Sequence, residues 1–268
     1  MFKNLKIYTL LGIFSLSILS SCSQYDSVLK GNDMKAKYKM AIELYEKGKF
    51  ERAAKLFEQA VPNYRGTPQA ERITFYLAES YYGMADYLIA AYYYERFVKS
   101  YPESSKIEEV AYKQAYCYYL DSPKFSLDQE NTVKAMAELQ KYINRYSESE
   151  HSEEANKMIA ELSGKLEKKD FQIAKQYMRL ENYKAADISF GNFISDYPDS
   201  EYREEAFYFK FVCLFEYARN SFYTKQKERY INAKTAFLLF EKKYPESENL
   251  KEAQKYYEDV LEGLKKVS

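Results

Sequence analysis

Ala90-x-x-x-Tyr94-x-x-Phe97-x-x-x-Tyr101-Pro102-Glu103-Ser104 and Ala186-x-x-x-Phe190-x-x-Phe193-x-x-x-Tyr197-Pro198-Asp199-Ser200 are one phrase written twice, and three further copies share its frame. Those copies end at Tyr64-Arg65, Tyr146-Ser147 and Tyr244-Pro245-Glu246-Ser247. Eleven residues before each tyrosine stands an alanine: Ala53, Ala90, Ala135, Ala186 and Ala233. Seven before stand Phe57, Tyr94, Leu139, Phe190 and Phe237, and four before stand Ala60, Phe97, Tyr142, Phe193 and Phe240. Steps of four and three place these residues on one stripe of a helix. The alanine lets a second helix approach closely, and the larger residues fill the space beside it.

The second helix is legible upstream. Ala41, Ala78 and Ala174 stand twelve residues before the column alanine in copies one, two and four, and Ala115 stands further ahead in copy three. The turns between them read Gly48-Lys49-Phe50, Ala85-Asp86-Tyr87 and Glu181-Asn182-Tyr183. Only 8 Gly and 6 Pro occur in 268 residues, against 30 Tyr and 17 Phe and no Trp. The expectation is an all-α chain of helix pairs.

At these spacings the pattern resembles the tetratricopeptide repeat, whose period is about 34 residues. The resemblance implies a superhelical solenoid of about five helix pairs. Repeats one, two and four run without gaps over 34–67, 71–104 and 167–200. Repeat three carries an insertion, Asp121 to Glu130, with Pro123 marking a loop. Repeat five has Phe211 in the place of the first-helix alanine, and the polar stretch Lys225 to Arg229 is expected to separate its two helices. Leu250, Ala253, Tyr257, Leu261 and Leu264 form one apolar stripe on a C-terminal capping helix, which a solenoid needs. Glu153 to Lys168 is expected to run into repeat four as one long helix.

Nothing in the chain spells catalysis. There is no Cys-x-x-Cys pair, His-Glu-x-x-His helix or Gly-rich phosphate loop, so no metal or cofactor is expected. His151, the single histidine, sits at a Ser/Glu-rich helix start and reads as solvated. Cys117 and Cys213 occupy the same site of repeats three and five. Two stacked repeats separate such sites by roughly 20 Å, while a disulfide needs Cα atoms within ~7 Å. Both read as buried thiols.

The amino end has a different character. Lys3 and Lys6 precede the apolar run Ile7 to Leu19, which is shorter than the ~20 residues a membrane-crossing helix needs. Leu19-Ser20-Ser21-Cys22 resembles the lipobox of bacterial lipoproteins. That resemblance implies cleavage before Cys22 and its acylation, with three acyl chains in place of the one that gives only marginal, reversible membrane binding. Ser23-Gln24-Tyr25 lacks the aspartate of an inner-membrane retention signal, so the expected address is the outer membrane, facing the periplasm. Without residues 1–21 the chain keeps 38 basic and 40 acidic side chains, a balance that gives nucleic-acid binding no electrostatic support. The expected organisation is a signal peptide over 1–21, a lipidated flexible linker over 22–33, repeats one to three over 34–149, and repeats four and five with the cap over 150–268.

Function must then come from a surface. In tetratricopeptide arrays, positions five, nine and twelve of each first helix point into the concave groove. Here they are Tyr38, Ile42 and Tyr45, then Phe75, Glu79 and Tyr82, then Tyr112, Tyr116 and Tyr119. The expected peptide-binding groove is therefore aromatic, which suits peptide recognition. In repeat four Phe171, Lys175 and Met178 turn it partly basic. Lipobox, short linker, five repeats and cap together resemble the BamD family, the outer-membrane lipoproteins of β-barrel assembly. The resemblance implies a scaffold without enzymatic activity that binds a BamA-like barrel protein through repeats four and five. It also implies binding of unfolded outer-membrane protein substrates through repeats one to three, with accessory lipoproteins as further partners. Two rivals are a tetratricopeptide lipoprotein coordinating envelope synthesis with division, and a SusD-like glycan-binding lipoprotein. Ser23 to Asp33 is too short for the coiled coil of the first, and the Asp121 to Glu130 insertion has no tryptophan to stack sugars for the second.

Overall fold

A computed structural model describes residues 24–267. Residues 1–21, expected as a signal peptide, and Cys22, the expected acylation site, lie outside the described residues. Among the described residues, eleven α-helices with defined bounds follow one another: α1 (Met34–Glu46), α2 (Phe50–Ala60), α3 (Pro68–Gly83), α4 (Tyr87–Ser100), α5 (Ile107–Asp121), α6 (Glu130–Arg145), α7 (Ser152–Arg179), α8 (Tyr183–Asp196), α9 (Arg203–Arg219), α10 (Tyr223–Lys243) and α11 (Leu250–Lys266), with a 3-10 turn, Val61–Tyr64, after α2. No strand occurs among the described residues.

All fifteen positions of the repeated stripe are buried, from Ala53 to Phe240. So are Ala41, Ala78, Ala115 and Ala174 on the facing helices, and Phe211 in repeat five. The Tyr-Pro-x-Ser phrase is a stop followed by a start. Its tyrosine N–H caps the second helix at Tyr101, Tyr197 and Tyr244, bonding the carbonyl four residues back, and Tyr146 does the same in repeat three, where Ser147 replaces the proline. The proline cannot continue the helix. The serine N–H then bonds the tyrosine carbonyl, and the serine Oγ accepts the N–H two residues on, at Ser104, Ser149, Ser200 and Ser247. Ser104 and Ser200 also donate to Glu71 and Glu167, at the start of their own repeats.

The tight turns inside repeats one, two and four share a left-handed residue five positions before the column alanine: Gly48 at φ 68°, Ala85 at φ 61° and Glu181 at φ 58°. Only the first of these is glycine, which adopts this conformation without a Cβ clash.

The chain forms two compact units. The first comprises residues up to 123 together with 129–160, and its sequential helices pack pairwise, with α1 also touching α3. Its core gathers Ala41, Ala53, Leu56, Phe57, Ile73 and Leu77. Residues 24–30, expected as part of a flexible linker, are helical, and Tyr25 is buried beneath the Arg52 guanidinium. The apolar Tyr25, Val28 and Leu29 find a place on the core, and buried Lys37 donates to the Leu29 carbonyl.

The second unit comprises 124–128 and 161–268, described to residue 267. One core joins Phe171, Ala174, Ala186, Phe190 and Phe193, and another joins Phe211, Phe215, Phe237, Phe240 and Val260. The expected long helix is α7, 28 residues from Ser152 to Arg179. The expected break at Lys225 to Arg229 is not there. These residues are the first turns of α10, because Arg229 lies 3.9 Å over the Tyr217 ring and donates to Ser221, so their polarity marks a solvent-facing helix start. The real connection is 220–222. On the capping helix Tyr257 stacks on Phe237 at 4.1 Å, with Ala253 and Val260 buried.

Candidate functional site: an aromatic face on the first unit

In the first unit, the expected groove residues divide into packed and presented ones. Tyr38 tilts against Tyr64 at 5.8 Å. Tyr45 meets the edges of Phe50 at 5.6 Å and Tyr76 at 4.9 Å, and Tyr82 meets Tyr87 at 5.8 Å. Phe75 is only 8% exposed, which corrects its expected place on the groove surface. Its ring lies edge-on to Tyr76 and Phe97, with the Lys106 ammonium 4.6 Å from its centroid. It is the floor of a pocket of about 100 Å³ whose rim is Glu71, Arg72, Ser105 and Lys106.

Tyr112, Tyr116 and Tyr119 are arranged otherwise. Spaced four and three residues apart on α5, they stack nearly parallel at 5.8 Å per step. His151 extends the series, its ring 4.0 Å from Tyr112 at an interplanar angle of 9°. The histidine read as solvated is therefore the end plate of a ladder of four half-buried rings. Glu150 and Glu154 flank it at 3.8 Å each. The Tyr112 hydroxyl donates to Glu154 at 2.7 Å, and burial together with that bond raises its pKa.

Beneath the rings lies a polar node absent from the sequence reading. Glu79 accepts from the hydroxyls of Tyr45 and Tyr94 and from Lys113 Nζ at 2.7 Å, and Lys113 also pairs with Glu109 at 3.1 Å. Burial, then the Glu79 charge, pushes the Tyr45 phenol up to about 12 and raises that of fully buried Tyr94 as well. Burial alone would lower Lys113, but its bonds to Glu79 and Glu109 outweigh it and raise the pKa. Tyr45, Glu79 and Lys113 stand 34 residues apart in turn, so one repeat length carries each partner onto the next helix pair. The available signal was a carboxylate at position nine, where the flanking repeats have Ile42 and Tyr116.

In the second unit the equivalent positions are less open. Phe171 is buried, and Lys175 is paired with Glu205 at 2.9 Å, so the expected basic character is largely neutralised. Cys117 and Cys213 are free and buried, and burial pushes each thiol up to about 12. No group of metal-ligating side chains occurs among the described residues, and no described helix is long and apolar enough to cross a membrane.

Helix pairs packed in sequence, with an alanine column at their crossing and an aromatic face on the first helices, define a tetratricopeptide-type helical-repeat protein. More particularly, the model of the YfiO family, outer membrane lipoproteins, matches residues 30–190, and the chain belongs to that family. It is 25% identical over 207 residues to the outer membrane protein assembly factor BamD of Vibrio cholerae, covering 74% of this chain and 86% of that one. To BamD of Rickettsia prowazekii it is 26% identical, covering 64% of this chain and 68% of that one. Among solved structures, the apo form of RapI aligns over 98% of both chains at 14% identity and a TM-score of 0.37. A kinesin light chain of TPR-like repeats from Podospora anserina aligns over 87% and 95% at 14% identity and 0.33.

Proposed function

We propose that this chain is a non-enzymatic outer-membrane assembly lipoprotein, anchored through Cys22 and facing the periplasm, that binds a BamA-like barrel protein and unfolded outer-membrane protein substrates. Family membership and the BamD relatives support the assembly role. The ladder of Tyr112, Tyr116, Tyr119 and His151 carries the substrate reading. An extended peptide repeats its side chains on one face about every 6.6 Å. Ring steps of 5.8 Å on α5 come close to that repeat, so successive same-face side chains can each meet a ring. Tyrosine offers large contact area with few torsions to fix and a polar tip that tolerates water when the groove is empty.

The test is titration of the full chain with a fluorescent peptide from the carboxy-terminal strand of an outer-membrane protein. Tyr116→Ala, at the centre of the ladder and outside the core, is expected to weaken binding about tenfold, the loss of one interface aromatic. Unchanged affinity would remove the ladder from substrate recognition. Purification of a tagged chain from detergent-solubilised membranes checks the barrel partner separately. Recovery of peptidoglycan synthases or a sugar transporter in its place would overturn the assembly role.

A further inference from the structure

The second unit carries an exposed basic and aliphatic helix face, on the repeats to which the family resemblance also assigns the barrel partner but for which it names no residues. Lys227, Ile231, Lys234, Leu238 and Lys242 follow one another on α10 at steps of four, three, four and four, which makes them one stripe. Ile231, Leu238 and the adjoining Leu239 are exposed despite being large and apolar. The acids Glu228 and Glu241 stand only at the margins of this stripe. Among the described residues no ion pair involves α10, whereas α9 pairs Arg219 with Glu216 and α11 pairs Lys266 with Glu262.

At the head of the stripe stand Phe222, 88% exposed, and Tyr223, 67% exposed. Their prominence is built in. Arg229 and Gln226 tie the preceding connection down by donating to Ser221 Oγ and the Arg219 carbonyl, and the Tyr223 hydroxyl reaches the Lys266 carbonyl at 3.4 Å. A braced turn thus holds a phenylalanine in water at the head of a helix whose lysines form no ion pair among the described residues.

We infer that the outer face of α10, led by Phe222 and Tyr223, rests on an anionic phospholipid surface. Lysines interleaved with aliphatic side chains suit that surface, because ammonium groups reach headgroup phosphates while their stems and the aliphatics lie against the acyl boundary. Aromatic rings favour the same depth. An acidic protein would satisfy the lysines equally, but it would be expected to enclose a ring as prominent as Phe222 in a pocket of its own. The inference rests on the reading of the chain as membrane-associated.

The chain contains no tryptophan but 30 tyrosines, so Phe222→Trp installs a single indole that is excited to the red of tyrosine absorption. The full chain is reconstituted with vesicles of phosphatidylcholine alone, or of phosphatidylcholine with phosphatidylglycerol. The indole emission of F222W is expected to shift to the blue only on the anionic vesicles, to be quenched by brominated lipid, and to revert in high salt or when Lys227→Glu and Lys242→Glu are added. Tyr92→Trp, on the exposed face of α4, is the control and is expected to stay water-like. Water-like emission of F222W on both vesicle types would overturn the inference, as would a shift indifferent to charge or one produced only by a protein partner. These side chains are exposed, so helicity by circular dichroism should be unchanged. Co-purification of the barrel protein with the charge-reversed chain tells the failure of this inference apart from failure of the assembly role.

Discussion

Glu79 shows how a single side chain can tie repeats together without touching solvent freely. Replacing it with leucine leaves Lys113 and two tyrosine hydroxyls without their acceptor in a largely buried place. Removing one partner of such a pair costs about 3 kcal/mol, far more than an exposed pair contributes. Urea denaturation of Glu79→Leu should show that loss, while Lys55→Ala, which breaks the exposed pair with Glu51, should leave the midpoint nearly unchanged. The same node gives a pH signature. Tyr45 is raised from 10 to about 12 in the folded chain, so its neutral form is favoured by folding. Its contribution is full below pH 10 and is lost as pH rises towards 12, a loss that linkage requires. Tyrosinate absorbance followed against pH should lag for the buried phenols and then rise together with loss of helicity. A smooth titration of all tyrosines before unfolding would contradict the burial.

At the scale of the element, the turns decide what the repeat tolerates. Ala85 and Glu181 hold left-handed conformations that a side chain disfavours by roughly 1–2 kcal/mol. Ala85→Gly and Glu181→Gly should each raise stability by about 1 kcal/mol after the entropy glycine adds to the unfolded chain, while Gly48→Ala should lower it by a similar amount. Thermal unfolding of the three variants checks the sign. The helices themselves were plain in the sequence, because alanine and aromatic columns at fixed offsets leave no other period. The aromatic face was less so. Position counting chose Tyr45 and Tyr112 alike, but it could not say that Tyr45 meets Phe50 and Tyr76 edge-on while Tyr112 stacks face to face on His151. Phe75 and Lys225 to Arg229 misled for related reasons. Burial of a ring under a lysine from the next repeat, and helicity of a polar run braced on Tyr217, are both set by neighbours distant in sequence.

For the molecule as a whole, division into two compact units makes a claim about cooperativity. In stacked repeats each helix pair gains most of its stability from its own packing and its nearest neighbours. The Glu79 node lies wholly within the first unit, and the Phe211, Phe237 and Phe240 core wholly within the second. Hydrogen exchange read by mass spectrometry on Glu79→Leu should therefore show lowered protection across α1–α6, with α9–α11 kept near the unmutated level. Phe237→Ala, which empties a buried ring site against Phe211 and Tyr257, should show the reverse, with a local cost of about 3–5 kcal/mol. If either substitution lowered protection evenly over all the helices, α7 would be transmitting stability along its length and the chain would be a single cooperative body. A confined response would mean that each unit draws its stability from its own helix pairs, so that a substitution in one core is felt only by the helices packed around it.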